Sequence, residues 1–322
     1  MRRVLLATSL LACAATAGAQ RPWQKLESRT VAQVAAQFRE PPPEYSATVT
    51  WGWDQMNESA IPRDLDILYA RGFRAVTIEA GYHMSSDYLS DGWFSLIARA
   101  VEEARRRNMR VWIIDEGKYP SGFAGGKFSR ERPELRMQGV TIAEKIRVRS
   151  GETLSRTLPV NVVSAVALNL HDSTNVGIDV HSGRLQWVAP EGDWEVWLAG
   201  HGFHTSQTRA VNNASGGKDT VNSLFDYLNP AATRVFIDFT HEQYHKRLSA
   251  EFGRTILGFR GDEPDYGRTP WTPAIVPEFQ RRKGYDVRPY LASFFLRRPS
   301  EEQNRAKADY WDVWSALFGD NF

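Results

Sequence analysis

Four apolar runs along the chain each end in acid. Val49 to Asp54 reads VTWGWD, and Phe73 to Gly81 reads FRAVTIEAG. Met109 to Gly117 reads MRVWIIDEG, and Thr255 to Tyr266 reads TILGFRGDEPDY. Short runs of β-branched and aromatic residues bounded by Gly or Pro predict strands. Helical stripes separate the first three. Ile61, Leu65 and Leu68 share a face behind Asn57 or Ser59 as cap, and Gly72 closes the helix. Trp93, Leu96, Ile97, Ala100, Val101 and Ala104 repeat at helical spacing from a start near Ser90. Arg105, Arg106 and Arg107 suit the C-terminal dipole end of that helix and read as a solvated helix end. Strand and capped helix in alternation predict parallel βα units. Carboxylates at the C-terminal tips of such strands are how a (β/α) barrel places catalytic acids.

The pattern changes after Glu116. Lys118 to Lys127, KYPSGFAGGK, is a loop whose glycines permit close backbone approach. It lacks the spacing and the Ser/Thr of a phosphate-binding loop, which excludes a nucleotide site of that type. From Gln138 to His204 helical periodicity gives way to short β-type segments at 140–148, 160–170, 176–180, 184–188 and 194–199, with Ser182-Gly183 as a hairpin signal. Residues 205–223 are polar and read as a mobile loop. Alternation then resumes. Asn229-Pro230 starts a helix with Val235, Phe236, Phe239 and Leu248 on its core face, and Gly253 ends it. Thr272-Pro273 starts another, ending at Lys283-Gly284, and Asp309 to Phe322 carries Tyr310, Trp314, Leu317 and Phe318 on one face.

The expected fold is therefore α/β: a (β/α)8-type barrel, truncated after about four βα units, with an inserted antiparallel β domain. Residues 1–19 are a signal peptide and 20–137 the first part of the barrel. Residues 138–204 are an inserted β-sandwich-like domain, and 205–322 continue the barrel, incomplete at the C-terminal end. An open half-barrel of this kind would expose the Tyr310–Phe318 face.

Composition narrows the function. The 322 residues are 42% hydrophobic and 24% charged, ordinary values for a globular chain with a sizeable core. Forty basic against 38 acidic residues, with no basic tract, argue against nucleic acid or anionic membrane as partner. Eleven Trp and 11 Tyr are a heavy aromatic load, and flat rings also suit the apolar faces of sugars. Arg2 and Arg3, the apolar run Val4 to Ala15 and Ala17-Gly18-Ala19 make an export signal, too short to span a bilayer. A second reading takes Leu10 to Cys13 as a lipoprotein box with Cys13 acylated. Either way the protein is expected outside the cytoplasm, periplasmic or extracellular, or as an outer-membrane lipoprotein. Cys13 is the only cysteine, so cleavage after Ala19 leaves no thiol for a disulfide or metal site.

Three patches resemble glycoside hydrolase family 106, the α-L-rhamnosidases. Asp115 to Gly126, DEGKYPSGFAGG, is similar to the family's acid-rich Trp-Pro-Ser-Gly-Phe-Ala-Gly-Gly segment. Gly258 to Pro264 resembles its Asp-Glu-Pro strand end, and Pro270 to Pro273 with Gly284 to Asp286 resembles the stretch downstream of that strand in the family. Tyr119 stands where Trp is common, and Gly117 where a second acid is common. The resemblance implies a glycosidase that cleaves terminal α-L-rhamnoside-like sugars from plant or bacterial polysaccharides or glycosides, an inverting mechanism, and calcium near the sugar, although no calcium loop is legible.

Glycosidases usually need two carboxyls flanking the scissile bond. Glu263 is the expected proton donor, kept protonated by burial beside apolar walls. Asp262 would orient it or bind a hydroxyl. Asp115, Glu116, Glu79, Trp53, Tyr119 and Trp271 are the other expected substrate contacts. The histidines, His83, His201, His204, His241 and His245, show no metal spacing, and His241 and His245 read as helix surface. The rival reading is a carbohydrate-binding or inactive member whose carboxylates line a pocket without completing a pair.

Overall fold

The computed structural model describes residues 30–42, 45–81, 84–117, 119–203, 223–266 and 269–322. The expected export signal, Cys13, His83, Lys118, His204 and residues 205–222 of the expected polar loop lie outside them. A short helix α1 (Val31–Gln37), closed by a Thr30–Gln33 capping box, precedes the first sheet. Strands β1 (Thr48–Trp53), β2 (Ala75–Ala80) and β3 (Arg110–Ile114) lie parallel and side by side in chain order. Helices α2 (Ala60–Ala70) and α3 (Asp91–Arg106) connect them. Ser90 caps α3, its Oγ accepting from the Trp93 N–H. The stripe Trp93, Ile97, Ala100, Val101 and Ala104 packs on Val76, Ile78, Val111 and Ile113. Each fully buried aliphatic side chain there stabilises the fold by roughly 1.5–3 kcal/mol. The arginine run is more than a solvated end. Arg107 pairs with Glu103 on its own helix and with Asp66 on α2 at 2.8 Å.

After α4 (Lys127–Glu131) the chain runs through seven strands: β4 (Gln138–Arg149), β5 (Thr153–Thr157), β6 (Val162–Asn169), β7 (Asn175–Ile178), β8 (Val180–His181), β9 (Arg184–Val188) and β10 (Asp193–Phe203). Helices α5 (Pro230–Phe239) and α6 (His241–Leu248) then lead to β11 (Ile256–Arg260), which pairs parallel with β3. The parallel sheet has the order β1-β2-β3-β11. A single helix from Asn229 to Gly253 was the expectation. The structure breaks it at Thr240, whose ψ of −85° leaves the helical region.

The antiparallel strands form two sheets. One has the order β12-β4-β10-β6-β7, where β12 (Pro270–Trp271) joins from beyond β11, and the other is β5-β9-β8. Val148, Ala165, Ala167, Val196 and Leu198 face Leu158 and Leu185 between the sheets. The other face of the larger sheet offers Val140, Val166 and Ala199 to α7 (Ile275–Lys283), α8 (Arg288–Leu291) and α9 (Glu301–Asn321). This corrects the expectation for the C-terminal helices. Residues 270–322 pack on the antiparallel sheet instead of continuing the barrel, because that sheet carries apolar side chains on both faces. Tyr310, Val313 and Leu317 are buried there, not exposed. The architecture is mixed α/β, and no helix of the described residues is long and apolar enough to cross a membrane.

Candidate active site

Parallel pairing brings the C-terminal ends of β1, β2, β3 and β11 to one edge. The last rung between β3 and β11 pairs Ile114 with Arg260, and the Asp115 N–H donates to the Arg260 carbonyl at 3.2 Å. Asp115 and Glu116 therefore leave β3 beside Gly261, Asp262 and Glu263. A Cβ on Gly261 would stand 3.7 Å from Asp115 Oδ2.

Glu116 organises the adjoining loop. Oε1 accepts from the amides of Gly117 at 2.6 Å and Gly125 at 3.0 Å. Oε2 accepts from those of Gly122 at 3.2 Å and Ala124 at 2.6 Å. The loop curls round the carboxyl because Gly122 and Gly125 take positive φ, and a Cβ on Gly122 would meet Tyr227 Oη at 2.7 Å. Burial pushes Glu116 up to about 7, against the pull of these amides. At 1% exposure it is closed off from a sugar, which corrects its expected role as a substrate contact.

Ser121 ties the same loop to β11. Its Oγ donates to Asp115 Oδ1 at 2.6 Å and accepts the Asp262 N–H at 2.7 Å. Its own N–H donates to the Asp262 carbonyl at 2.9 Å. Tyr227 Oη in turn donates to the Ser121 carbonyl. Burial pushes Asp115 up to about 6, opposed by the Ser121 bond and reinforced by the charge of Asp262.

Glu263 sits at the open side of this cluster. Tyr119 Oη donates to Glu263 Oε2 at 2.9 Å, and that bond raises the Tyr119 phenol above its ordinary value. Glu263 is exposed, so the apolar burial expected around it is absent. Asp262 and Glu79 are half-buried at the ends of β11 and β2.

Two expected contacts lie elsewhere. Trp53 is 0% exposed and packs at ring centroid distances of 5.3 Å from Trp51 and 5.4 Å from Trp93, inside the core. Trp271 is buried on β12 and stacks on His201 at 4.8 Å, against the antiparallel sheet. Their apolar area went to the nearest core, as large aromatics usually do.

One residue was misread from sequence. His241 is not helix surface: the break at Thr240 turns it toward β3, with Nε2 at 3.6 Å from Asp115 Oδ2. Its ring meets Phe259 of β11 edge-on at 4.2 Å. Burial pushes it down to about 4. Nothing in the spacing of His241 and His245 signals this, because the helix break sets the direction.

Calcium takes six to eight oxygen ligands. Among the described residues no group of three or more His, Cys, Asp or Glu gathers as a metal site. Glu116 already accepts four amide hydrogens, and Asp115 faces Ser121 and His241. Asp115 and Glu116 are thus committed to protein partners and are not open as calcium ligands.

Comparison with known proteins adds to the geometry. Residues 160–298 match the glycoside hydrolase family 106 model, described as alpha-L-rhamnosidase. That span holds the Asp-Glu-Pro strand end and Trp271, but not the 115–126 loop. A Formosa agariphila protein provisionally named a beta-glucuronidase is 21% identical over 314 residues, 81% of this chain and 26% of that protein. A rhamnosidase from Novosphingobium sp. PP1Y shares the fold with a TM-score of 0.58 at 13% identity, over 89% of this chain and 45% of that one. The chain thus spans 26% of the curated relative's length and 45% of the solved one's.

Proposed function

We propose that the chain is a glycoside hydrolase family 106-like protein, an exported glycosidase acting on terminal α-L-rhamnoside-like sugars, a reading supported by the family match over residues 160–298 and by the likeness to a rhamnosidase fold. The observation that carries this reading is the exposed Glu263 carboxyl, held by Tyr119 at the carboxylate-lined end of a parallel sheet. In this reading the sheet belongs to a (β/α)8-type barrel, whose active sites lie at that end. Glu263 is the proton donor. Tyr119 fixes Oε2, which leaves Oε1 to deliver a proton to the leaving oxygen. Asp262 follows the Ser121 clamp and positions Glu263, while Glu79 and Tyr119 face the sugar. Asp115 sits behind them as a buried carboxyl. Export rests on residues 1–19, with acylation at Cys13 as the variant that would leave the enzyme membrane-anchored.

The test uses aryl α-L-rhamnosides and aryl β-D-glucuronides with good and poor leaving groups. Glu263→Gln should lower turnover of the poor leaving groups by on the order of 10²–10⁴-fold and that of activated ones far less. Equal loss on both classes would remove Glu263 from the proton-donor role. Sugar binding by the wild-type chain with no turnover of any aryl glycoside would favour the carbohydrate-binding alternative.

A further inference from the structure

Asp115 and His241 face each other across the junction of α5 and α6, and their neighbours fix where hydrogens can sit. The Thr240 hydroxyl donates its hydrogen to the Phe236 carbonyl at 2.7 Å. Thr240 Oγ1 can then only accept in its 2.9 Å contact with His241 Nδ1, so Nδ1 carries a hydrogen. A neutral imidazole in this tautomer points its Nε2 lone pair at Asp115. On the far side, Ser121 Oγ takes the Asp262 amide hydrogen and gives its own to Asp115 Oδ1. That leaves Asp115 Oδ2 facing Nε2 at 3.6 Å, just beyond hydrogen-bond length and too close to admit a bridging water. An ionised carboxylate and an imidazole lone pair repel at this distance, whereas one proton between them makes the contact attractive.

We infer that Asp115 and His241 share a single proton, carried on Asp115 Oδ2 and directed at His241 Nε2. His241 is thereby a positioning residue that keeps Asp115 a neutral acid at the strand ends. The inference rests on the reading of those ends as a glycosidase site. Burial acts on both partners in the required sense, lifting Asp115 to about 6 and dropping His241 to about 4. Between those values the carboxyl holds the proton and the imidazole is neutral.

The remaining groups around the pair agree with this assignment. Asp262, just beyond β11, is an acid whose charge favours a neutral Asp115, and Glu116 beside Asp115 is itself raised by burial to about 7. Tyr88, Tyr227 and Tyr244 also feel Asp115, and burial raises all three, so they stay neutral phenols. Phe236 and Phe259 supply only ring edges and faces to His241, and its own helix adds Glu242 and His245. Among the described residues no Lys or Arg is ion-paired with Asp115. A neutral Asp115 reduces the negative charge beside Asp262 and Glu263 without an added cation.

The experiment is NMR on the full chain, with ¹⁵N in histidine and ¹³C in the aspartate carboxyls, from pH 4 to 8. His241 should report a neutral ring with hydrogen on Nδ1 at pH 5, and Asp115 should titrate near 6. His241→Phe keeps the burial and removes the lone pair, so the Asp115 midpoint should fall by about one pH unit. His241→Gln retains an acceptor oxygen and should restore most of that fall. A cationic His241 at pH 5, hydrogen on Nε2, or an unmoved midpoint in His241→Phe would overturn the shared proton. In turnover, the limb of the pH–rate profile assigned to Asp115 should move with the NMR midpoint across these variants. A uniform loss at every pH would overturn the positioning role. Absence of turnover in the wild type would count against the glycosidase reading alone, since the NMR result stands without it.

Discussion

Ser121→Ala isolates the clamp between the 117–125 loop and β11. Ser121 is 0% exposed and its Cβ survives in alanine, so packing changes little. Two hydrogen bonds vanish: the one to Asp115 Oδ1 and the one from the Asp262 amide. At pH 4.5 Asp115 is protonated, and both lost bonds are between neutral groups. Each contributes about 0.5–1.5 kcal/mol, so the variant should cost about 1.5–2 kcal/mol. At pH 8 Asp115 is ionised, and the first bond becomes charge-assisted, worth about 1.5–3 kcal/mol. The cost should then rise to about 3 kcal/mol. Linkage gives the same sign. Asp115 already lies above its ordinary value, at about 6, so its contribution is present at low pH and lost as pH rises through that midpoint. Losing the Ser121 donor raises the midpoint further, by about one pH unit, which deepens the loss at pH 8 by about 1.4 kcal/mol. Urea unfolding of wild type and variant at the two pH values, followed by circular dichroism, measures the difference. A cost that is the same at both pH values, or below about 0.5 kcal/mol at pH 8, would refute the clamp.

The same geometry sets other outcomes. Asp115, Glu116 and Asp226 are all raised by burial, to about 6, 7 and 6, so stability should decline as pH climbs from about 4 to 7. A thermal unfolding series over that range checks it, and a rising midpoint would contradict the burial of these groups. Tyr119→Phe removes the donor to Glu263 at an exposed site, so stability should stay within about 0.5 kcal/mol of wild type. Turnover of poor leaving groups should nevertheless drop by roughly tenfold, read from kcat on aryl glycosides. Trp53→Ala should destabilise the fold by about 3–5 kcal/mol, and KM measured on the folded protein should not change.

The parallel sheet was legible because its signals are local. Each acid-tipped run carries its own strand pattern, and the four runs are the four strands of that sheet. Ser90, Gly72 and the α3 stripe mark helix ends and faces through contacts a few residues away. Strand β5 was missed because TLSRT is polar and almost wholly exposed, leaving no alternation to read. The destination of residues 270–322 was missed for another reason. An apolar helix face shows that something must cover it, not which of two sheets will. The larger antiparallel sheet has apolar side chains on both faces, and α7 to α9 cover the second.

The site was legible in its residue types and opaque in its directions. Asp115 and Glu116 are adjacent acids at a strand end, and successive strand residues point to opposite faces. Their pattern says that one can look toward a ligand and the other away, but not what receives them. The loop decides it, since four amides from Gly117 to Gly125 converge on Glu116 and close it in. That leaves Glu263, two residues beyond Gly261, as the carboxyl that reaches the open side. His241 depends on longer-range information still. Had α5 and α6 formed one unbroken helix, its direction would have been set by helical periodicity alone. Thr240 departs from helical geometry, its hydroxyl returns to the Phe236 carbonyl, and the next side chain is turned toward β3. A β-branched residue with a donor hydroxyl is a weak signal of such a break, because threonine makes the same bond in intact helices. What specifies the turn here is the packing of the His241 ring against Phe259 on β11, a strand neighbour that exists only once the sheet has formed.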